Sequence, residues 1–130
     1  MNRKEEILHQ QVAEAWRNSH LPSNPDPNAY RNHQRLICNW ANSETGRSGN
    51  KARSMGVKKG IADWLYMREN GGVIWIELKT DTGNQSKEQK LFETLCKSLG
   101  HEYHICRDYY HFWDIIGVEP PFKLNELLTK

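Results

Sequence analysis

Residues 60–79, Gly60-Ile61-Ala62-Asp63-Trp64-Leu65-Tyr66-Met67-Arg68-Glu69-Asn70-Gly71-Gly72-Val73-Ile74-Trp75-Ile76-Glu77-Leu78-Lys79, read as two strands and a turn. Aromatic and β-branched residues fill 62–68 and 73–79, and Asn70-Gly71-Gly72 between them accept positive φ, a hairpin signal. Side chains alternate along a strand, so Ile74, Ile76 and Leu78 share one face while Glu77 and Lys79 share the other. Two charges on one face of an otherwise apolar strand need a reason. Asp63 lies fourteen residues before Glu77, the length of one hairpin, and so returns to its level on the adjacent strand. It joins the Glu77 face only if the connection has an odd loop, such as 70–72, or contains a bulge.

Outward from the hairpin, Leu8, Val12, Ala15 and Trp16 form one stripe of an amphipathic helix over 3–17 that ends near Asn18. The segment 19–33, with three prolines and three asparagines, predicts an irregular loop before a strand at 35–40. Ser86–Leu99 predicts a helix whose apolar face is Leu91, Phe92, Leu95, Cys96 and Leu99, closed by Gly100. A short strand over 102–107 follows, then a helix capped by Asp108 that runs to Ile116, and a last helical turn after Pro120-Pro121. The order helix, three strands, helix, strand, helix predicts an α/β core with a mixed sheet.

The 130 residues suit one domain spanning 1–130. Leu, Ile, Val and Phe number 26, but five Trp and five Tyr add the apolar area that a core requires. No run approaches a membrane span and MNRKEEILHQ lacks a signal-peptide core, so the expectation is a cytoplasmic protein with no membrane partner. Three cysteines without a CxxC spacing suit free thiols. The net charge of +2 hides a block of Arg47, Lys51, Arg53, Lys58 and Lys59 with no acid among them, set in Gly and Ser, as befits a loop lying on a polyphosphate. The plainer reading of that block is a solvated loop.

Asp63 and Glu77 beside Lys79 form an oxygen-rich set for a hard cation, Mg²⁺ or Mn²⁺, with the Leu78 carbonyl as a third ligand. A metal there would acidify water and neutralise phosphate oxygens, while Lys79 orients the water or offsets charge building on phosphorus. That is phosphodiester hydrolysis. The competing reading is a structural ion-pair network.

Gly60-Ile61-Ala62-Asp63, Ile76-Glu77-Leu78-Lys79 and Ser86-Lys87-Glu88-Gln89 resemble the G-x-P-D, E-x-K and S-x-x-Q signatures of the virus-type replication-repair nuclease (VRR-Nuc) domain, in the PD-(D/E)xK, restriction-endonuclease-like superfamily. The resemblance spans about 5–116, with Gly56-Val57-Lys58-Lys59 as a basic lead-in and 117–130 as an extension. Ala62 replaces the motif proline, a change at strand entry with no chemistry attached. The resemblance implies an αβββαβ core with a central mixed sheet flanked by helices, and Mg²⁺- or Mn²⁺-dependent DNA cleavage. It also implies a stand-alone phage or bacterial type that resembles homodimeric Holliday-junction resolvases, acting in a bacterial or phage-infected cell without an organic cofactor. A flap, nicking or restriction-type nuclease is the alternative within the same chemistry, and a DNA-binding module that cleaves nothing is the alternative outside it.

The family places a Glu of the first helix near the metal. Positions 5, 9, 12 and 16 form one stripe, which favours Glu5 over Glu6. Ser86-x-x-Gln89 is also a capping box, and one side chain is expected to serve either the cap or the site, with the site favoured through contact to water or phosphate. Cys96, His101, His104 and Cys106 do not match a zinc pattern. Trp16, Trp75 and Trp113 fall on packing faces, whereas Trp40 and Trp64 could border a substrate groove.

Overall fold

The computed structural model describes residues 3–20, 27–39 and 58–128, excepting the side chains of Tyr30 and Leu128. Helix α1 (Arg3–His20) buries Leu8, Val12, Ala15 and Trp16, the expected stripe, and continues two residues past Asn18. The segment read as irregular contains a second helix, α2 (Pro27–His33). Its proline sits at the first helical position, where a missing N–H breaks no bond and the fixed φ suits the helix. Trp16 Nε1 donates to His33 O at 3.0 Å, tying the end of α2 to α1.

Strands β1 (Leu36–Cys38), β2 (Trp64–Met67), β3 (Val73–Leu78) and β4 (Glu102–Cys106) form one sheet in that order. The first two pairings are antiparallel, and β3–β4 is parallel, reached through helix α3 (Lys87–Ser98). The sheet is therefore mixed, as expected. Trp64 pairs with Ile76 and Met67 with Val73, and Arg68 N donates to Gly72 O at 2.8 Å. Glu69-Asn70-Gly71 is thus the loop, three residues long and one position earlier than the example read from sequence. Gly71 takes the positive φ of 94°. Because the loop is odd, the register carried one step beyond Trp64 sets Asp63 opposite Glu77 on one face.

The opposite face carries the main core. Leu8, Val12 and Trp16 of α1 pack with Tyr109, Phe112, Trp113 and Ile116 of α4 (Tyr109–Ile116) over Trp64, Tyr66, Ile74, Ile76, Leu78 and Cys106. Leu127 of α5 (Leu124–Leu128) joins that cluster. Trp64 is buried there with its ring 4.8 Å from His9, so it does not border a groove; Trp40 lies outside the described residues. Among the described residues no helix is long and apolar enough to cross a membrane.

The second face is covered by α3, and here the expected leucine face is corrected. Phe92 and Cys96 pack on Ala62, Trp75, Tyr103 and Ile105, while Leu91, Leu95 and Leu99 are more than half exposed. Gln89, Phe92 and Cys96 are spaced i, i+3, i+7 and share one helix face. With Gln89 bonded to the sheet, this face turns inward and the leucines turn out.

Gly60 joins the two ends of this layer. Its φ is +88°, and a Cβ built on it would lie 2.6 Å from the backbone carbon of Glu88. Only a residue without a side chain lets the strand entry lie against the first turn of α3. Gly60→Ala is therefore expected to destabilise the fold by about 1–3 kcal/mol or more, measured by denaturant unfolding. Gly100→Ala, with nothing within 4 Å of its Cβ but a similar φ of +83°, isolates the backbone part of that effect.

Candidate active site

The candidate side chains are delivered by several elements, each for a local reason. Asp63 sits where the β2–β3 ladder ends, and its Oδ2 accepts the Leu78 N–H at 2.7 Å, replacing a backbone acceptor. Asp63 O in turn accepts Asn39 N at 2.7 Å. Glu77 and Lys79 come from the end of β3, held to β4 by Lys79 N donating to Cys106 O at 2.9 Å. Asp63 is 6% exposed, Glu77 2% and Lys79 9%.

Gln89 resolves the choice posed by the sequence. Its Oε1 accepts Ser86 N at 2.8 Å while Ser86 Oγ accepts Gln89 N at 3.1 Å, a complete capping box. Its Nε2 donates to Glu77 Oε2 at 3.0 Å. The two roles were expected to exclude each other; a carboxamide has an acceptor end and a donor end, so one side chain completes the cap and also reaches Glu77. Of the two candidate glutamates on α1, Glu6 is exposed, whereas Glu5 Oε1 lies 3.9 Å from Lys79 Nζ.

Burial pushes the Glu77 carboxyl far above the ordinary carboxylate range, and the Asp63 carboxyl opposite, by its charge and by hydrogen bonding, raises it further; Lys79 offsets only part. Glu77 Oε1 is buried and has no hydrogen-bond partner among the described residues. Burial, and then the nearby Glu77 charge, also raise the Tyr103 hydroxyl, which accepts Gln85 Nε2 at 3.1 Å. An oxygen left bare beside a second carboxylate invites positive charge.

Among the described residues no group of three or more His, Cys, Asp or Glu side chains is arranged to hold a metal ion. The set here is two carboxylates and the Leu78 carbonyl, with Glu5 drawn to Lys79. Mg²⁺ commonly uses one or two carboxylates and completes its shell with water and substrate phosphate, so the oxygen donors and the bare Oε1 fit such an ion.

Of the basic block, Lys58 and Lys59 are exposed immediately before Gly60, and Arg47, Lys51 and Arg53 lie outside the described residues. Two neighbours had no role assigned from sequence. His9 Nε2 lies 3.3 Å from Cys38 Sγ on the core side of the sheet, beside Trp64, and burial lowers the imidazole pKa while Asp63 opposes that shift. The signal was present in the Glu5–His9 helical spacing. Cys96 and Cys106 pack in different clusters on the two sheet faces.

No family model and no curated protein matches this sequence. Among solved structures the chain is similar to one titled "VRR_NUC domain protein", at 18% identity and a TM-score of 0.59, over 87% of this chain and 84% of that one. The likeness shows the fold: a mixed four-stranded sheet flanked by helices, shared with that VRR_NUC domain protein.

The raised Glu77 pKa has a defined sign for stability. Unfolded, the group titrates near 4.5; folded, it holds its proton to higher pH, so its stabilising contribution is complete below about pH 4.5 and is lost as pH rises through the folded value. In chelator, Glu77→Gln should remove that slope and stabilise the protein at pH 8 by on the order of 3 kcal/mol, read from unfolding curves at several pH values.

Proposed function

We propose that this chain is a divalent-metal-dependent endonuclease that hydrolyses DNA phosphodiester bonds, acting on branched DNA as a homodimer. The observation that carries the reading is the buried, opposed pair Asp63 and Glu77, with its bare oxygen, beside Lys79. A structural ion-pair network would be expected to satisfy that oxygen, and this arrangement leaves two buried acids with one partial counterion. The VRR-Nuc fold supports the same chemistry.

In this reading Asp63, Glu77 and the Leu78 carbonyl hold Mg²⁺ or Mn²⁺. The chemistry such an ion supplies when bound is positive charge against phosphate oxygens and a more acidic water. The chain's own residues do the rest. Asp63 fixes the Leu78 peptide through its N–H, and Gln89 fixes one oxygen of Glu77, leaving the other for the ion. Lys79, poised against Glu5, orients the attacking water and offsets negative charge as phosphorus becomes five-coordinate. Lys58 and Lys59, with Arg47, Lys51 and Arg53, grip the DNA backbone, which makes affinity strongly salt-dependent. Two copies related by a two-fold axis would match the symmetry of a four-way junction.

Incubation with a four-way junction, a flap and linear duplex, each with Mg²⁺, Mn²⁺ or chelator, is expected to show metal-dependent cleavage that favours the junction. Glu77→Ala and Lys79→Ala should each lower the rate by about 10²- to 10³-fold while remaining folded. A protein that cleaves none of these, or that cleaves equally well with either substitution, would falsify the nuclease reading. Independently, millimolar Mg²⁺ or Mn²⁺ should raise the thermal midpoint of the wild type and much less that of Asp63→Asn/Glu77→Gln, because the ion binds only the folded state.

A further inference from the structure

Lys79 and Glu5 face each other at 3.9 Å, too far for a strong hydrogen bond, so the ion pair by itself does not fix either side chain. What borders the pair is the turn that follows β3. Gly83 N donates to Thr80 O at 3.2 Å, closing the turn over 80–83, and Thr80 is buried. A Cβ built on Gly83 would lie 2.9 Å from Thr80 Oγ1 and 3.4 Å from Glu5 Oε1, so the Glu5 carboxylate rests against the bare edge of this turn.

The turn is held from β4. Leu78 pairs with Cys106 across the parallel strands, which brings Arg107 alongside Lys79. Arg107 Nη1 donates to Thr80 O at 2.6 Å and to Gly83 O at 2.9 Å. One guanidinium nitrogen, with two hydrogens in a fixed plane, thus clamps both ends of the turn. Thr80 O accepts two donors, the Gly83 amide and the guanidinium, and loses the stronger of them if Arg107 is removed.

We infer that Arg107 is a positioning residue: by clamping Thr80 and Gly83 it sets the wall against which Glu5 holds the Lys79 ammonium. Its consequence for catalysis rests on the nuclease reading above; its effect on Lys79 does not. Arg107 touches neither carboxylate of the buried pair among the described contacts, and acts through the turn.

The test uses the full chain with Arg107→Ala, Arg107→Lys and Gly83→Ala. The first readout needs neither DNA nor metal: labelling of individual lysines by an amine-reactive ester, followed by peptide mass spectrometry. Arg107→Ala should speed labelling of Lys79 several-fold while leaving Lys97, ion-paired to Glu93 on the far helix, unchanged. Arg107→Lys should restore part of the protection, and Gly83→Ala should reproduce the loss. On a substrate that the wild type cleaves, Arg107→Ala should lower kcat by about 10- to 100-fold with KM unchanged, as expected for a displaced catalytic group.

A folded Arg107→Ala protein with wild-type Lys79 labelling overturns the inference. So does a raised KM at unchanged kcat, which would make Arg107 a DNA-backbone contact instead. If Arg107→Ala does not fold, Arg107→Lys and Gly83→Ala carry the same two readouts. Changed labelling in a protein whose wild type cleaves no DNA would retain the Arg107–Lys79 coupling and reject the nuclease reading.

Discussion

Two carboxylates buried face to face at the end of a hairpin set the terms for everything around them. Asp63 and Glu77 are brought together by backbone register, and in a low-dielectric setting their repulsion and desolvation both oppose a doubly charged state. A fold devoted to stability alone would place apolar side chains there. The surrounding structure instead restrains each acid by a different device: the Leu78 amide takes one oxygen of Asp63, and the Gln89 amide takes one oxygen of Glu77.

The stability that tolerates this arrangement comes from the other side of the sheet. Four residues of α1, four of α4 and seven strand residues make one continuous aromatic and aliphatic cluster, in which Trp16 and Trp113 lie with ring centroids 6.1 Å apart. The site side is thinner. Its packing consists of Phe92 and Cys96 over Ala62, Trp75, Tyr103 and Ile105, with Leu91 and Leu95 of α3 and its cap residue Leu99 left largely in solvent. The sheet thus divides the labour, with one face packed for cohesion and one arranged around buried polar groups.

Much of this was legible in advance. Period-2 alternation marked β2 and β3, helical spacing marked α1, and cap residues marked α3 and α4, because each signal is local. Even the meeting of Asp63 with Glu77 was reducible to a parity condition on the loop. The failures share a cause. Pro27 was read as a breaker when it opens a helix, because what a proline does depends on which position the helix starts from. The rotation of α3 was misjudged because leucine burial looked decisive, whereas the bond from Gln89 to Glu77 and the close approach of Gly60 to Glu88 are contacts between segments distant in sequence.

The sequence by itself determined the elements, the mixed α/β core, the family resemblance and the short set of residues from which a site could be built, since period, charge pattern and motif spacing are properties of neighbours along the chain. Only the tertiary structure decided how those residues divide their roles. It let one amide cap a helix and restrain a carboxylate, set Glu5 against Lys79, left one oxygen of Glu77 bare, and brought Arg107 from the end of a parallel strand onto the turn beside Lys79. Hydrogen bonds and burial are fixed by three-dimensional proximity, and the crossover through α3 that creates the β3–β4 register is where that proximity arises.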